Sequence, residues 1–197
     1  MNTVKTKKFE SREEIAESLK QERDLAGADM SGLDLTGMKF AAMNLKGADF
    51  HESNLTKALF AGADMGEVNL CNANMTNARI YGADMHHTKL HGAKLHGLKM
   101  AGVDLKNTDL TGADLSKSRL TGIDVSGADF TDAVTTGARA IGVDWSEAKV
   151  EPAELPEPIQ PPRWLKWLLI AGVIEVVALV VFLKMRQRRK LIEKETL

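Results

Sequence analysis

Apolar residues recur at every fifth position over more than half of the chain. They are Leu25, Met30, Leu35, Phe40, Leu45, Phe50, Leu55, Phe60, Met65, Leu70, Met75, Ile80, Met85, Leu90, Leu95, Met100, Leu105, Leu110, Leu115, Leu120, Val125 and Phe130. Because 44% of the 197 residues are apolar, such a run has a chance probability on the order of 10⁻⁸. A period of five fits neither an α-helix nor a β-strand, so the chain is expected to fold as an internal repeat.

The other positions of each five-residue unit explain how the repeat can fold. The unit reads Ala-Asp-Leu-x-Gly, with a small residue two places before the large one, Asp or Asn between them, and often Gly two places after. The small and the large side chain can both point inward, and Gly can adopt the backbone angles of a tight turn. Each unit is therefore predicted to form one side of a square coil.

This pattern resembles the pentapeptide-repeat family over residues 25–150. The resemblance implies an all-β solenoid, a right-handed quadrilateral β-helix with four units per coil and coils stacked about 4.8 Å apart. Residues 20 apart are then expected directly above one another. The pattern weakens at Thr135 and Ala140, and Trp145 is expected to cover the last coil.

Residues 1–24 precede the repeats and are predicted to contain a short capping helix. Ser11 and Glu14 have the spacing of a capping box, which places the start of the helix there and its end near Arg23. Ile15 and Leu19 lie on one side of this helix, which would cover the exposed edge of the first coil. A recognition role for the helix is the alternative.

Residues 151–162 form a linker that contains all five prolines of the chain. This composition is typical of polyproline II structure, a semi-rigid spacer that extends about 3.1 Å per residue. The linker is expected to hold the solenoid up to about 37 Å away from the segment that follows it.

Residues 163–184 are predicted to form a transmembrane helix. The stretch from Trp167 to Leu183 has 17 residues with one charge, and at about 1.5 Å per residue it is about 26 Å long. Trp164 precedes it and a basic tail, residues 185–197, follows it. We expect a single-pass tail anchor. A helix that packs on the solenoid or lies in the membrane interface is the alternative.

Glu175 lies at the centre of the predicted transmembrane helix, where a charged carboxylate costs about 2.5–3.5 kcal/mol to insert. Ala171, Glu175 and Ala178 recur on one helix face beside Gly172, a pattern typical of a helix–helix contact. One hypothesis is a partner helix with a basic or hydrogen-bonding side chain. The other is a protonated glutamate that a marginal anchor tolerates.

Two signals disagree about the orientation in the membrane. The basic residues after the helix favour a cytoplasmic C-terminus and an outside solenoid. However, the N-terminal segment lacks the apolar run of a secretory signal, and a long domain is hard to translocate without one. We therefore expect a bacterial inner-membrane protein with a cytoplasmic solenoid, with the opposite orientation as the alternative.

Stacking of residues 20 apart sorts the surface into columns. One side carries a mostly basic column just before the large core residue, with small or apolar residues two positions later. A flat face with regularly spaced cations is expected to bind an acidic protein partner or lipid headgroups. The candidate residues are Lys39, Leu59, Arg79, Tyr81, Lys99, Arg119 and Arg139.

The next side carries a mostly acidic column at the equivalent position. Its members are Asn44, Asp64, Asp84, Asp104, Asp124 and Asp144. Asp and Asn side chains also accept hydrogen bonds from the backbone of an adjoining turn. The alternative interpretation is therefore structural, with the acidic side chains bonded to turns and the basic side chains merely solvated.

The sequence offers little candidate chemistry. His51, Cys71 and His91 fall in one column, but ligands along a flat outer wall lack the enclosure of a metal site, so no metal or other cofactor is expected. No catalytic motif is recognisable, and a solenoid without long insertions offers no pocket. These features indicate a protein that is not an enzyme.

Charge narrows the possible functions. A net charge of −1 gives no indication of nucleic-acid binding. The preferred interpretation is a membrane-anchored, non-enzymatic scaffold or adaptor whose solenoid binds a protein partner at the membrane surface. The resemblance suggests two alternatives, a secreted effector that acts on host membranes and, less favoured, a DNA mimic that protects DNA gyrase. Such a mimic is strongly acidic, whereas residues 25–133 contain 13 acidic and 10 basic residues, a net charge of −3.

Overall fold

The five-residue period builds a parallel β-solenoid in the computed structural model, which describes residues 7–159. A sheet of short parallel strands runs along one wall, and strands that are consecutive in the chain are neighbours in the sheet. In chain order the elements are α1 (Arg12–Gln21), β1 (Leu59–Ala61), β2 (Arg79–Tyr81), β3 (Lys99–Ala101), β4 (Arg119–Thr121), β5 (Arg139–Ile141), a 3₁₀ turn (Trp145–Glu147) and β6 (Glu157–Pro158).

The coils repeat every 20 residues, as the sequence predicts. Each coil has four walls, and on each wall a residue pairs in parallel with the residue 20 positions later. Between the first two coils the pairs are Asp24 with Asn44, Asp29 with Asp49, Asp34 with Asn54, and Lys39 with Leu59. On the wall that carries the strands the same register continues from Leu59 to Arg139.

The large apolar residue of each unit lies in the interior of the solenoid. Leu35, Leu55 and Leu90 are fully buried, and burial of such a side chain contributes about 1.5–3 kcal/mol. In the N-terminal coils the core contains aromatic residues. The rings of Phe40 and Phe60 stack there with their centroids 5.0 Å apart. Two positions before the large residue, the unit of Phe60 has the small Ala58, whereas the unit of Phe40 has Met38, which is also buried.

Every fifth residue from Gly27 to Gly142 has a positive φ angle and forms a corner between two walls. The sequence predicts glycine at such corners, yet 10 of them are other residues. The left-handed conformation costs a residue with a Cβ atom about 1–2 kcal/mol, so these corners store backbone strain. They are Ala42, Glu52, Lys57, Glu67, Asn72, Asn77, His87, Asn107, Lys117 and Asp132.

The N-terminal segment contains the short helix that the sequence predicts, and it contacts the first coil. Ser11 is the N-cap of α1 and its side chain accepts a hydrogen bond from the Glu14 backbone N–H at 3.2 Å. The Glu14 carboxylate accepts from the backbone N–H of Glu10 at 3.0 Å. Lys8 pairs in parallel with Asp29, and Ile15 of the helix is fully buried.

Two arginines also satisfy the open edge of the first coil. The Arg12 guanidinium donates to the carbonyl oxygen of Thr36 at 2.6 Å, and that of Arg23 donates to the carbonyl oxygen of Ala41 at 3.3 Å. Carbonyl groups at a solenoid end have no further coil to bond to. The two side chains therefore take the place of a preceding coil.

The C-terminal end differs from the predicted spacer that begins at residue 151. The Glu157 backbone N–H donates to the Ala138 carbonyl oxygen at 2.9 Å, which places β6 beside β5, and Pro152 and Pro156 are buried. Proline has no N–H group, so it closes the sheet edge without adding an exposed donor. Residues 151–158 thus cover the last coil, together with Trp145, whose ring packs edge-on against Phe130 at 5.5 Å.

Several predicted features lie outside the described residues. These are the end of the linker, residues 160–162, the predicted transmembrane helix 163–184 with Ala171, Gly172, Glu175 and Ala178, and the basic tail 185–197. Within residues 7–159 no helix has the length and apolar character needed to cross a membrane.

Candidate partner-binding surface

The predicted basic column is assembled on the wall that carries the strands. We call this the basic wall and define it by Lys39, Leu59, Arg79, Lys99, Arg119 and Arg139. Arg79 is the register partner of Lys99, Lys99 of Arg119, and Arg119 of Arg139. Because the alternating pattern of a strand turns the core residue inward, the residues on both sides of it point outward. From Arg79 to Arg139 the cations therefore stand in one row, one per coil, and Leu59 separates this row from Lys39.

The second outward position on this wall is small or apolar, as predicted. Tyr81 has 38% and Ile141 49% of its surface exposed, whereas the half-buried Leu59 belongs to the first column. The remaining members of this column are Ala41, Ala61, Ala101 and Thr121. The wall is therefore low in relief beside the cations, with larger apolar side chains at Tyr81 and Ile141.

The cations of the basic wall are poorly neutralised. Arg139 lies with its Nε atom 3.9 Å from a Glu157 carboxylate oxygen, and in the part of the chain that the structure describes the other four form no ion pair. On the other walls, by contrast, Lys106 lies 3.0 Å from Asp124, and Lys46 lies 3.2 Å from Glu67. The basic wall thus carries a local excess of positive charge that the net charge of the chain conceals.

Two further cations, which the sequence analysis did not single out, border the basic wall. Lys57 and Lys117 occupy the corner that precedes it, both exposed and both with a positive φ angle. In this corner column Gly37, Gly97 and Gly137 have the expected glycine. The sequence signal for these two cations is a charged residue at a corner where the repeat usually has glycine. Lys57 and Lys117 add a second set of positive charges beside the row on the basic wall.

The acidic column that follows the basic wall has a structural role in the turns. Each member accepts a hydrogen bond from the backbone N–H two residues later, for example Asp64 from Gly66 at 3.1 Å and Asp104 from Lys106 at 2.8 Å. The Ser126 hydroxyl and backbone, followed by Lys106, lower the pKa of Asp124 to about 2. Asn44 makes the same bond with its amide oxygen, so a neutral acceptor can also serve the turn.

The family assignment follows from the repeat sequence. A family profile described as pentapeptide repeats in 8 copies matches residues 24–62, 53–92 and 88–127, which together make up more than half of the chain. The chain belongs to the pentapeptide-repeat family. Among proteins with curated functions, none matches this pentapeptide-repeat sequence.

Solved structures of pentapeptide-repeat proteins match this chain. Trypsin-treated QnrB1, a plasmid-mediated fluoroquinolone resistance protein, is 18% identical with a TM-score of 0.58, over 74% of this chain and 84% of QnrB1. HetL, which is involved in heterocyst differentiation regulation in the cyanobacterium Nostoc, is 24% identical with a TM-score of 0.28, over 67% of this chain and 74% of HetL. At 18% identity the similarity to QnrB1 concerns the fold alone.

The histidine and cysteine column of this pentapeptide-repeat chain consists of His51, Cys71 and His91 at equivalent positions of successive coils. His51 is held by Asp49, whose carboxylate lies 2.9 Å from Nδ1 and raises the pKa of the imidazole. Burial raises the pKa of the Cys71 thiol, which disfavours the thiolate that a metal would need. Within residues 7–159 no three His, Cys, Asp or Glu side chains are grouped closely enough to hold a metal ion.

Proposed function

We propose that this pentapeptide-repeat protein is a non-enzymatic scaffold or adaptor, anchored in a membrane, whose basic wall binds a protein partner at the membrane surface. The observation that carries the proposal is the row of cations Arg79, Lys99 and Arg119, which stand in strict register and form no ion pair with a carboxylate of residues 7–159. Charges left unpaired on a flat face are available to an acidic partner, which they steer and orient.

The absence of relief on the basic wall favours a macromolecular partner over a small molecule. Ala101 and Thr121 beside the cations leave no cleft, and small-molecule sites are usually concave and largely enclosed. A flat face of this kind can bind a partner through many weak contacts over a broad surface. The basic wall also disfavours the DNA-mimic alternative, because such a mimic needs acidic surfaces.

The membrane anchor is supported by sequence alone. The apolar run after Trp167, the tryptophans before it and the basic residues after it have the composition of a single-pass helix. The solenoid would then lie in the cytoplasm of a bacterial cell. Glu175, flanked by Ala171, Gly172 and Ala178, would provide a helix–helix contact within the bilayer.

The first experiment tests the basic wall in the full-length chain. The variant Arg79→Glu/Lys99→Glu/Arg119→Glu is compared with Lys46→Glu/Lys89→Glu/Lys94→Glu, which changes the formal charge equally on other walls. Partners are crosslinked in cells and quantified for wild type and both variants. We expect the basic-wall variant to lose a crosslinked protein that the control retains. Equal retention by both variants would contradict the proposal.

A second experiment tests the anchor. Carbonate extraction of membranes separates integral from peripheral proteins, and protease treatment of intact cells and spheroplasts locates the solenoid. We expect the full-length chain to resist extraction and the solenoid to be protected. Release by carbonate would contradict the anchor, and digestion of the solenoid in a protein that resists extraction would reverse the proposed orientation.

A further inference from the structure

We propose that the partner presents an acidic α-helix that lies along the solenoid axis on the basic wall. This inference rests on the proposed function and specifies the chemistry of the partner. It starts from the four cations Arg79, Lys99, Arg119 and Arg139, which occupy four consecutive coils in register. With coils about 4.8 Å apart, they stand about 4.8, 9.6 and 14.4 Å along the axis from the first one.

An α-helix can match this spacing with carboxylates on one face. Acidic residues at positions i, i+3, i+7 and i+10 rise about 4.5, 10.5 and 15 Å along a helix, within about 1 Å of the cation positions. At 3.6 residues per turn these four positions fall within an arc of about 80°. One face of a helix can therefore place one carboxylate beside each cation when its axis is parallel to that of the solenoid.

Other acidic partners match the basic wall less well. An extended strand presents side chains on one face about 6.6–6.8 Å apart, so its second and third carboxylates would fall progressively out of step with the cations. Anionic lipid headgroups have no fixed spacing, so they would gain nothing from the register. A helix is the element whose pitch lies close to the coil spacing.

The surroundings of the row also suit a helix. Beside the central cations the outward residues are Ala101 and Thr121, which let a cylinder approach closely, and Tyr81 offers exposed apolar surface toward one end. Lys57 and Lys117 stand in the adjoining corner, three coils apart, about 14 Å along the axis. These two lysines would face carboxylates on the side of the bound helix. The favoured partner helix therefore has acidic residues beyond the row that faces the arginines and Lys99.

The test uses three 18-residue helical peptides of alanine and glutamine with defined glutamates. The first has glutamates at i, i+3, i+7 and i+10. The second has the same composition with the glutamates distributed around the helix circumference. The third has them at i, i+4, i+8 and i+12, which stretches the rise to about 18 Å. Binding to the full-length chain in neutral detergent is measured by fluorescence anisotropy at two salt concentrations.

We expect the first peptide to bind at least about 10-fold more tightly than the second, with the third between them. Binding should weaken in salt and be lost in Arg79→Glu/Lys99→Glu/Arg119→Glu, while Lys46→Glu/Lys89→Glu/Lys94→Glu retains it. Circular dichroism checks that both variants keep the wild-type fold. Equal affinity for the three peptides, or a basic-wall variant that binds normally, would overturn the inference.

Vesicles separate a lipid surface from a helix. The same chain is titrated with neutral vesicles and with vesicles that contain phosphatidylglycerol, and the first peptide is added as competitor. Loss of anionic-vesicle binding in the basic-wall variant, without any preference among the peptides, would overturn the helix in favour of a lipid surface. Loss of the cellular crosslink without peptide preference would overturn only this inference, whereas retention of the crosslink would overturn the proposed function itself.

Discussion

The basic wall and the acidic column lie on neighbouring walls of the same coils, yet their polar side chains do different things. Asp64 and Asp104 accept hydrogen bonds from the turns that follow them, at 3.1 and 2.8 Å. Arg79 and Lys99 stand in the equivalent position of their wall, cannot accept such a bond, and contact no carboxylate of residues 7–159. A regular repeat therefore permits a division in which one wall stabilises the backbone and the other remains free for recognition.

The corner between these two walls provides the largest expected change in stability. Here Gly62 has a φ of 62° with open space around its missing Cβ atom, and Ala42 occupies the same column with a φ of 53°. We expect Gly62→Ala to lower the free energy of unfolding by about 1–2 kcal/mol and Ala42→Gly to raise it by a similar amount. Thermal unfolding followed by circular dichroism measures both. Changes of the same sign in the two variants would show that the corner conformation is not the cause.

Removal of a hydrogen-bond acceptor from the acidic column tests directly whether the two walls have different roles. We expect Asp124→Ala to lower the free energy of unfolding by about 1 kcal/mol, because the Ser126 backbone N–H loses a partner now 3.0 Å away. Arg119→Ala on the basic wall should change it by less than about 0.5 kcal/mol. Chemical unfolding of the two variants provides the comparison. Equal losses would mean that the basic wall also stabilises the coil.

Low pH should destabilise the turns of the acidic column and leave the basic wall unchanged. The pKa of Asp124 is about 2 in the folded chain, below its ordinary value of 3.8. Its contribution to stability is therefore fully present above about pH 4 and is lost as the pH falls through about 2. Arginine and lysine stay charged throughout this range. Hydrogen exchange of the Ser126 amide should accelerate toward pH 2 relative to that of an amide on the basic wall, after correction for intrinsic rates. Parallel acceleration would indicate global unfolding instead.

Replacement of a carboxylate by an amide in the acidic column is expected to give the smallest change in stability. Asp104→Asn keeps an oxygen for the Lys106 backbone N–H, as Asn44 does for Lys46 in the same column. We expect a change of less than about 0.5 kcal/mol, since the exposed ion pairs of Lys106 contribute little. Comparison with Asp104→Ala by chemical unfolding isolates the hydrogen bond. A large loss in the asparagine variant would assign the stabilisation to charge.

Much of the described solenoid could be predicted because the rules that govern it are local and repeated. The five-residue period identifies Phe40 and Phe60 as core residues and places Arg79 beneath Lys99. The edges were only partly predictable, because the spacing of Ser11 and Glu14 indicates the helix but not its contacts with the first coil. The bonds of Arg12 to Thr36 and of Arg23 to Ala41 depend on where the chain ends in space, which no spacing in the sequence encodes.

The candidate surface was only partly predictable for a related reason. Its main row lies in a column defined by the core, whereas Lys57 and Lys117 lie at corners, where the repeat suggests glycine and nothing else. Composition also misleads at the C-terminal end. Proline-rich segments are extended whether or not they pack, so the sequence of residues 151–158 could not distinguish a free spacer from the cover of the last coil.

The 20-residue register allows the length of this protein to change without a change in its surface pattern. Deletion of residues 84–103 would join Ala83 to Asp104 in the same phase, so every column would continue across the junction with one coil fewer. Because each coil contacts only its neighbours, the shortened chain would lose Lys99 and keep the remaining row intact. Evolution can therefore adjust the number of cations on the basic wall one coil at a time. Chains related in this way would differ in solenoid length by whole coils.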